Sequence, residues 1–197
     1  MTKILEQVLT NARACTLCQE NLPLGPRPVV RAMVNSPILI IGQAPGTKVH
    51  ASGIPWDDIS GNNLRQWLGI DKTVFYDTSK IAIVPMGFCY PGKGKSGDLP
   101  PRPECAPKWH EPIITKLNNR KLTLLIGQYA QRYYLGRQHK TLTERVKRWA
   151  EAPEGYFPLP HPSPRNRLWM KKNSWFEIEV LPELKSRFQL ALDNSPR

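Results

Sequence analysis

Three stretches of this sequence carry residue types that do chemistry. In FPLPHPSPRNR (157–167), His161 stands between two prolines at the end of an apolar run and is followed at once by Ser163, Arg165, Asn166 and Arg167. Proline fixes φ, so the imidazole is held in one place instead of sampling many. In IIGQAPG (40–46) a second apolar run ends in Gly42, Gln43, Ala44, Pro45 and Gly46. The glycines allow close backbone approach and the proline sets the turn, which suits a cradle for a phosphate or a base. No Walker loop is present: the required GK[ST] is absent from the turn, and the one GKS, at 94–96, has Cys89 where the first glycine belongs.

The third stretch is split. Cys15 and Cys18 form a CxxC pair, while Cys89 and Cys105 bracket a loop rich in proline and glycine, CYPGKGKSGDLPPRPEC. Two thiolates on a tight turn can face one centre, and a distant pair can complete an all-cysteine shell. Zinc and iron-sulfur clusters share such ligands, so spacing alone leaves both open. A disulfide framework does not fit a chain of 197 residues with four cysteines.

The elements that must position these groups follow from periodicity. Residues 2–13 place Ile4, Leu5, Val8 and Leu9 at helical spacing, which delivers Cys15 and Cys18 at a helix end. Apolar runs at 37–42, 80–87, 122–127 and 156–162 have the length of buried strands. Between and after them lie helical patterns at 60–69, 104–117, 127–136 and 141–150, and a closing helix over 171–192 that Pro182 kinks or divides. Alternation of strand and helix predicts an α/β three-layer sandwich, a mainly parallel four-stranded sheet with helices on both faces. Binding groups should gather beyond the carboxyl ends of its strands.

Composition sets the class. One domain, 1–197, is expected from the length, and 20 prolines against 13 glycines predict many fixed loops. Lys plus Arg number 28 against 16 acidic residues, a formal charge of +12, which favours a polyanionic partner such as nucleic acid. The sequence has no apolar run near the ~18 residues of a membrane span and no signal-peptide core at its start. A cytoplasmic monomer without membrane contact is the expectation.

Taken together, IIGQAPG, GIPW (53–56), PHPSPRN and the four cysteines make the chain resemble the uracil-DNA glycosylase superfamily, and most closely its iron-sulfur, or family four, branch. The resemblance runs from Cys15 to about Leu184, and the tail RLWMKKNSWFEIEVLPELKSRF resembles a bacterial subgroup of glycosylase-like proteins. It implies that Cys15, Cys18, Cys89 and Cys105 hold a 4Fe-4S cluster, with zinc as the alternative. It implies that the substrate is DNA with a damaged base, uracil first among them, flipped into a pocket of Gly42, Gln43, Ala44, Pro45, Gly46 and Trp56. Trp56 stands where family four members usually have phenylalanine under the base. His161 would donate a hydrogen bond to the base oxygen as charge develops there. Ser163, Arg165 and Asn166, with Arg167, would meet the phosphates or the groove.

Two positions depart from the family pattern. Gln43 replaces the acid of the GEAPG form, and an amide can hold a water but not take its proton. Of the groups downstream, His50, Asp57 and Asp58 are the candidate substitutes. Pro85 replaces the asparagine that reads the uracil edge, four residues before the third cysteine. The sequence therefore supports a base-excision glycosylase, with two competitors: a DNA or damaged-base binder that has kept the fold without activity, and an unrelated zinc-stabilised nucleic-acid module.

Overall fold

The computed structural model describes residues 2–95, 97–136 and 139–193, so Ser96 of the GKS stretch lies outside the described residues. In chain order the strands are β1 (Ile38–Ile41), β2 (Ile81–Ile83), β3 (Lys93–Gly94), β4 (Gly97–Asp98), β5 (Leu122–Ile126) and β6 (Tyr156–Leu159). The helices are α1 (Thr2–Arg13), α2 (Thr47–Ser52), α3 (Ile59–Leu68), α4 (Lys72–Tyr76), α5 (Cys105–Ile114), α6 (Gln128–Leu135), α7 (Leu142–Lys147), α8 (Arg167–Lys172) and α9 (Leu181–Asp193).

Four strands form one sheet in the order β2-β1-β5-β6, every neighbouring pair parallel. β1 is fully buried, and its alternation divides the core. Ile38 and Ile40 face a layer with Leu64 and Trp67 of α3, Phe75 of α4, Phe176, and Leu184 and Phe188 of α9. Leu39 and Ile41 face the other, with Leu5 and Leu9 of α1, Ala106 and Ile113 of α5, and Ala130 of α6. The result is the expected three-layer α/β sandwich. Its β2 edge is covered, because Arg31 exchanges backbone hydrogen bonds with Ile83 in an isolated antiparallel bridge.

The closing helix differs from expectation. It is divided at Asn173, where α8 ends, and resumes in a π-helical turn, Phe176–Val180, that runs into α9. Pro182 is the second residue of α9, within a helical run that begins before Phe176. The wider π spacing lies immediately before it, where Pro182 has no N–H to offer the Ile178 carbonyl. The Cys89–Cys105 loop also contains a small antiparallel hairpin, β3–β4, too short for any periodicity to reveal.

Candidate functional site

The segment after β1 stays tied to the segment after β2. Met86 N–H donates to the Gly42 carbonyl and Gly87 N–H to the Gln43 carbonyl, both at 2.9 Å, so parallel pairing continues past the strands into the glycine turn. At the end of β6 the Leu159 carbonyl accepts from Gly127 N–H at 2.9 Å and from the buried Gln131 Nε2 at 2.8 Å. Beyond it, Asn166 Nδ2 donates to the His161 carbonyl at 2.7 Å and Asn63 Nδ2 to the Pro162 carbonyl at 2.8 Å. The backbone around the imidazole is thus held by α3, α6 and its own following turn.

These anchors bring the two motifs into one cleft at the carboxyl ends of β1, β2 and β6. Gly42, Gln43, Ala44, Pro45, Gly46, Trp56, Asp58, Pro85 and His161 line it, with Val29, Val49, Pro55 and Ile83 supplying apolar wall. It encloses about 430 Å³ including its solvent-open mouth.

Trp56 is held under constraint. It is the one non-glycine residue with positive φ among the described residues, at 58°, a conformation that costs an L-residue about 1–2 kcal/mol. Two neighbours maintain it. Its carbonyl lies where a Cβ on Gly61 would stand, 1.7 Å away, so only glycine allows α3 to begin this close. The same carbonyl accepts from the buried Arg65 at 3.3 Å, while the guanidinium also bonds Asn62 Oδ1 at 2.6 Å and packs over Phe75 and Tyr76. The indole then lies across Gly42, its Cζ2 2.7 Å from the position a Cβ there would take. Its centroid is 5.6 Å from that of His161, with the rings inclined by 30°.

Burial lowers the pKa of His161 below the usual histidine value, and the neighbouring Asp58 carboxylate opposes the shift. The imidazole is therefore neutral at pH 7, one nitrogen carrying a proton and the other free. Asp58 also caps α3, its Oδ1 accepting from Gly61 N–H at 2.8 Å. Of the three groups considered as substitutes for an acid at Gln43, Asp58 lines the cleft. His50 and Asp57 do not.

Ser163, Arg165 and Asn166 do not line the cleft. Ser163 Oγ accepts from Arg165 N–H at 3.3 Å, capping a short 3-10 turn, and with Arg167 it borders a separate groove beside α3 and α9. Arg165 reaches the β3–β4 hairpin, its guanidinium 2.7 Å from where a Cβ on Gly97 would stand. Asp98 of that hairpin comes within 3.5 Å of the corresponding position on Gly46. Burial raises the Asp98 pKa, with Asp58 adding to the shift and Arg165 and Lys93 opposing it. The hairpin therefore brings cations and a carboxylate to the rim of the cleft.

Cys15, Cys18, Cys89 and Cys105 line a second cavity, together with Leu22, Pro28, Gly87, Phe88, Arg102 and Trp109. It lies back to back with the cleft: Pro28 and Val29, and likewise Pro85 and Gly87, face opposite sides of one wall. Burial pushes the Cys105 thiol up to about 12, partly offset by Phe88 N–H, which donates to its sulfur at 3.3 Å. Cys18 and Cys89 are also raised, chiefly by burial. Such thiols stay protonated at pH 7 until a metal displaces the protons. Among the described residues no group of three or more His, Cys, Asp or Glu side chains forms a ready-made site for a metal ion.

Asp58, one of the three substitutes the sequence offered, lines the cleft, whereas Asn63, Arg65, Asp98, Arg102 and Trp109 were not singled out by any sequence signal. The capping position of Asp58 was legible; that a cap at this turn also faces His161 was not. Among the described residues no helix is long and apolar enough to cross a membrane. A family model, Uracil DNA glycosylase superfamily, matches residues 30–185.

Proposed function

The chain belongs to the uracil-DNA glycosylase superfamily, and from that premise we propose that it hydrolyses the bond between deoxyribose and a damaged base flipped out of DNA. Membership supports a DNA glycosylase-type function in general. What carries the finer reading is one observation: His161, Trp56 and the Gly42–Gly46 turn line the same cleft.

The chemistry follows from those groups. Cleaving an N-glycosidic bond leaves negative charge on the base and positive character on the sugar. The neutral His161 imidazole donates its N–H to the base oxygen where that charge grows, and its fixed backbone spares reorganisation at that moment. Trp56 offers its face to the extruded base, a contact worth about 1–3 kcal/mol. Asp58 supplies the carboxylate that Gln43 cannot: it orients water toward the sugar carbon and takes its proton. The Gln43 amide has both a donor and an acceptor for the –NH–C=O edge that uracil, hypoxanthine and xanthine share, a task Pro85 cannot perform. The net charge of +12 and the cationic rim of the hairpin favour the phosphate backbone.

Cys15, Cys18, Cys89 and Cys105 are the residues that would hold a 4Fe-4S cluster, and the shared cavity, its apolar wall and its unpartnered N–H donors support that fit. When bound, such a cluster would cross-link the segment after α1 to both ends of the hairpin loop without taking part in hydrolysis.

Gln43 and Pro85 favour a second reading, a binder of damaged DNA without turnover. One assay decides. Single-stranded and duplex oligonucleotides carrying uracil, hypoxanthine or xanthine are incubated with the protein and then treated with alkali. Strand cleavage at one of these bases is the expected result; retention of labelled DNA with no alkali-labile site would establish the binder instead.

A further inference from the structure

Buried donors without acceptors are rare in folded proteins, because each has given up its hydrogen bonds to water with nothing in return. Among the described residues the buried side-chain atoms without a partner are His50 Nδ1, Tyr76 Oη, Arg102 Nε and Trp109 Nε1. Two of these, Arg102 Nε–H and Trp109 Nε1–H, belong to side chains that line the four-cysteine cavity. Both have defined positions. Trp109 lies one turn beyond Cys105 on α5, which stacks the two side chains on the same helix face. Arg102 is anchored through its other arm, NH2 to Glu104 Oε1 at 2.6 Å, while Glu104 Oε2 lies 3.8 Å from Cys18 Sγ. A third donor shows what the arrangement does, since Phe88 N–H already bonds a cysteine sulfur, that of Cys105.

We propose that Trp109 Nε1–H and Arg102 Nε–H are donors to the sulfur atoms of the iron-sulfur cluster held by Cys15, Cys18, Cys89 and Cys105, completing with Phe88 N–H a set that stabilises the cluster's negative charge. The proposal rests on the cluster reading above and adds to it two positioning residues. Hydrogen bonds to cluster sulfurs favour the more negative, reduced state and so raise the reduction potential. They also fix the ligands, and outer-shell partners of this kind typically govern metal retention by about 10- to 100-fold.

The test uses full-length protein purified anaerobically. Iron and sulfide analysis of the wild type comes first. Trp109→Phe keeps the ring and removes the N–H; Arg102→Lys keeps the charge and removes the Nε donor. Both variants are expected to bind iron, to lose it to a chelator about 10- to 100-fold faster than the wild type, and to show a more negative reduction potential with an unchanged far-ultraviolet circular dichroism spectrum. In the wild type, transfer to D2O should shift the iron-sulfur stretching bands in resonance Raman, a readout that does not depend on how either variant folds. Iron-loaded variants with wild-type chelation rates and potential, or the absence of a D2O shift, overturn the donor assignment alone. Wild-type protein without iron or sulfide overturns the cluster reading and the assignment with it.

Discussion

Gly42→Ala tests whether the indole of Trp56 depends on the glycine turn beneath it. The new Cβ would stand 2.7 Å from Trp56 Cζ2, about 0.7 Å inside ordinary contact at 3.4 Å. Gly42 itself has no positive φ, so the backbone accepts alanine and the clash is the whole perturbation. Nor can the indole yield easily, since its backbone is held by Arg65 and by the close approach of Gly61. The overlap should cost about 1–3 kcal/mol of stability, as overpacking typically does. A base that loses its stacking face should lose about 1–3 kcal/mol of binding in the transition state, roughly 5- to 150-fold in kcat/KM. Trp56→Phe provides the control: it deletes Cζ2 and Cη2, and the next nearest indole atom, Cε2, is already at 3.6 Å. Gly42→Ala should therefore be nearly silent in the Trp56→Phe background, and the double-mutant cycle should show a coupling of about 1–3 kcal/mol in both denaturant unfolding and single-turnover excision. Equal costs in the two backgrounds would refute the contact.

Three further outcomes follow from the same geometry. Asp58→Asn keeps a good helix cap, so stability should change by only a few tenths of a kcal/mol, while excision falls by about 10²- to 10⁴-fold; an unchanged rate in steady-state kinetics would remove Asp58 from water activation. Asn166→Ala leaves the His161 carbonyl without its donor, which should cost about 1 kcal/mol in thermal unfolding and lower kcat by up to about 10²-fold with little change in KM. His110, 2% exposed, has its pKa lowered by burial to about 4, its Nε2–H donating to the Pro85 carbonyl at 2.9 Å and its Nδ1 accepting from Tyr134 O–H at 2.6 Å. The unfolded chain binds the extra proton first, so this contribution is intact above pH 6.5 and is lost as pH falls toward 4. Its size is about 3 kcal/mol. Urea titrations over that window should show a shallower decline for His110→Gln than for the wild type.

The layers were legible in the sequence because buried parallel strands read as unbroken apolar runs, and PILIIG and LTLLIG have no other home. The cleft was legible for a related reason. Glycine and proline at strand ends announce loops, and in an open α/β sheet the carboxyl ends face one side. What stayed hidden was set by tertiary contact. Nothing in GIPWDDISG tells that Trp56 adopts φ of 58°, because the requirement comes from Gly61 and Arg65 folding back against it. Nothing in PHPSPRN tells that Asn166 turns inward to hold the His161 carbonyl while Arg165 turns toward the hairpin. The closing helix broke at Asn173 and not at Pro182, because the helical run continues through Pro182 with a π-helical turn, Phe176–Val180, taking up the missing amide. No spacing in the sequence singles out Arg102 or Trp109, which line one cavity with the four cysteines only because the chain folds them there.

The central claim is that a neutral imidazole at 161 stabilises charge on a departing base. Its most direct test is single-turnover excision from a lesion-bearing oligonucleotide by wild-type protein and by His161→Ala, with DNA affinity measured in parallel. The account predicts a rate about 10²- to 10³-fold lower in the variant at nearly unchanged affinity. An excision rate equal to that of the wild type would contradict it.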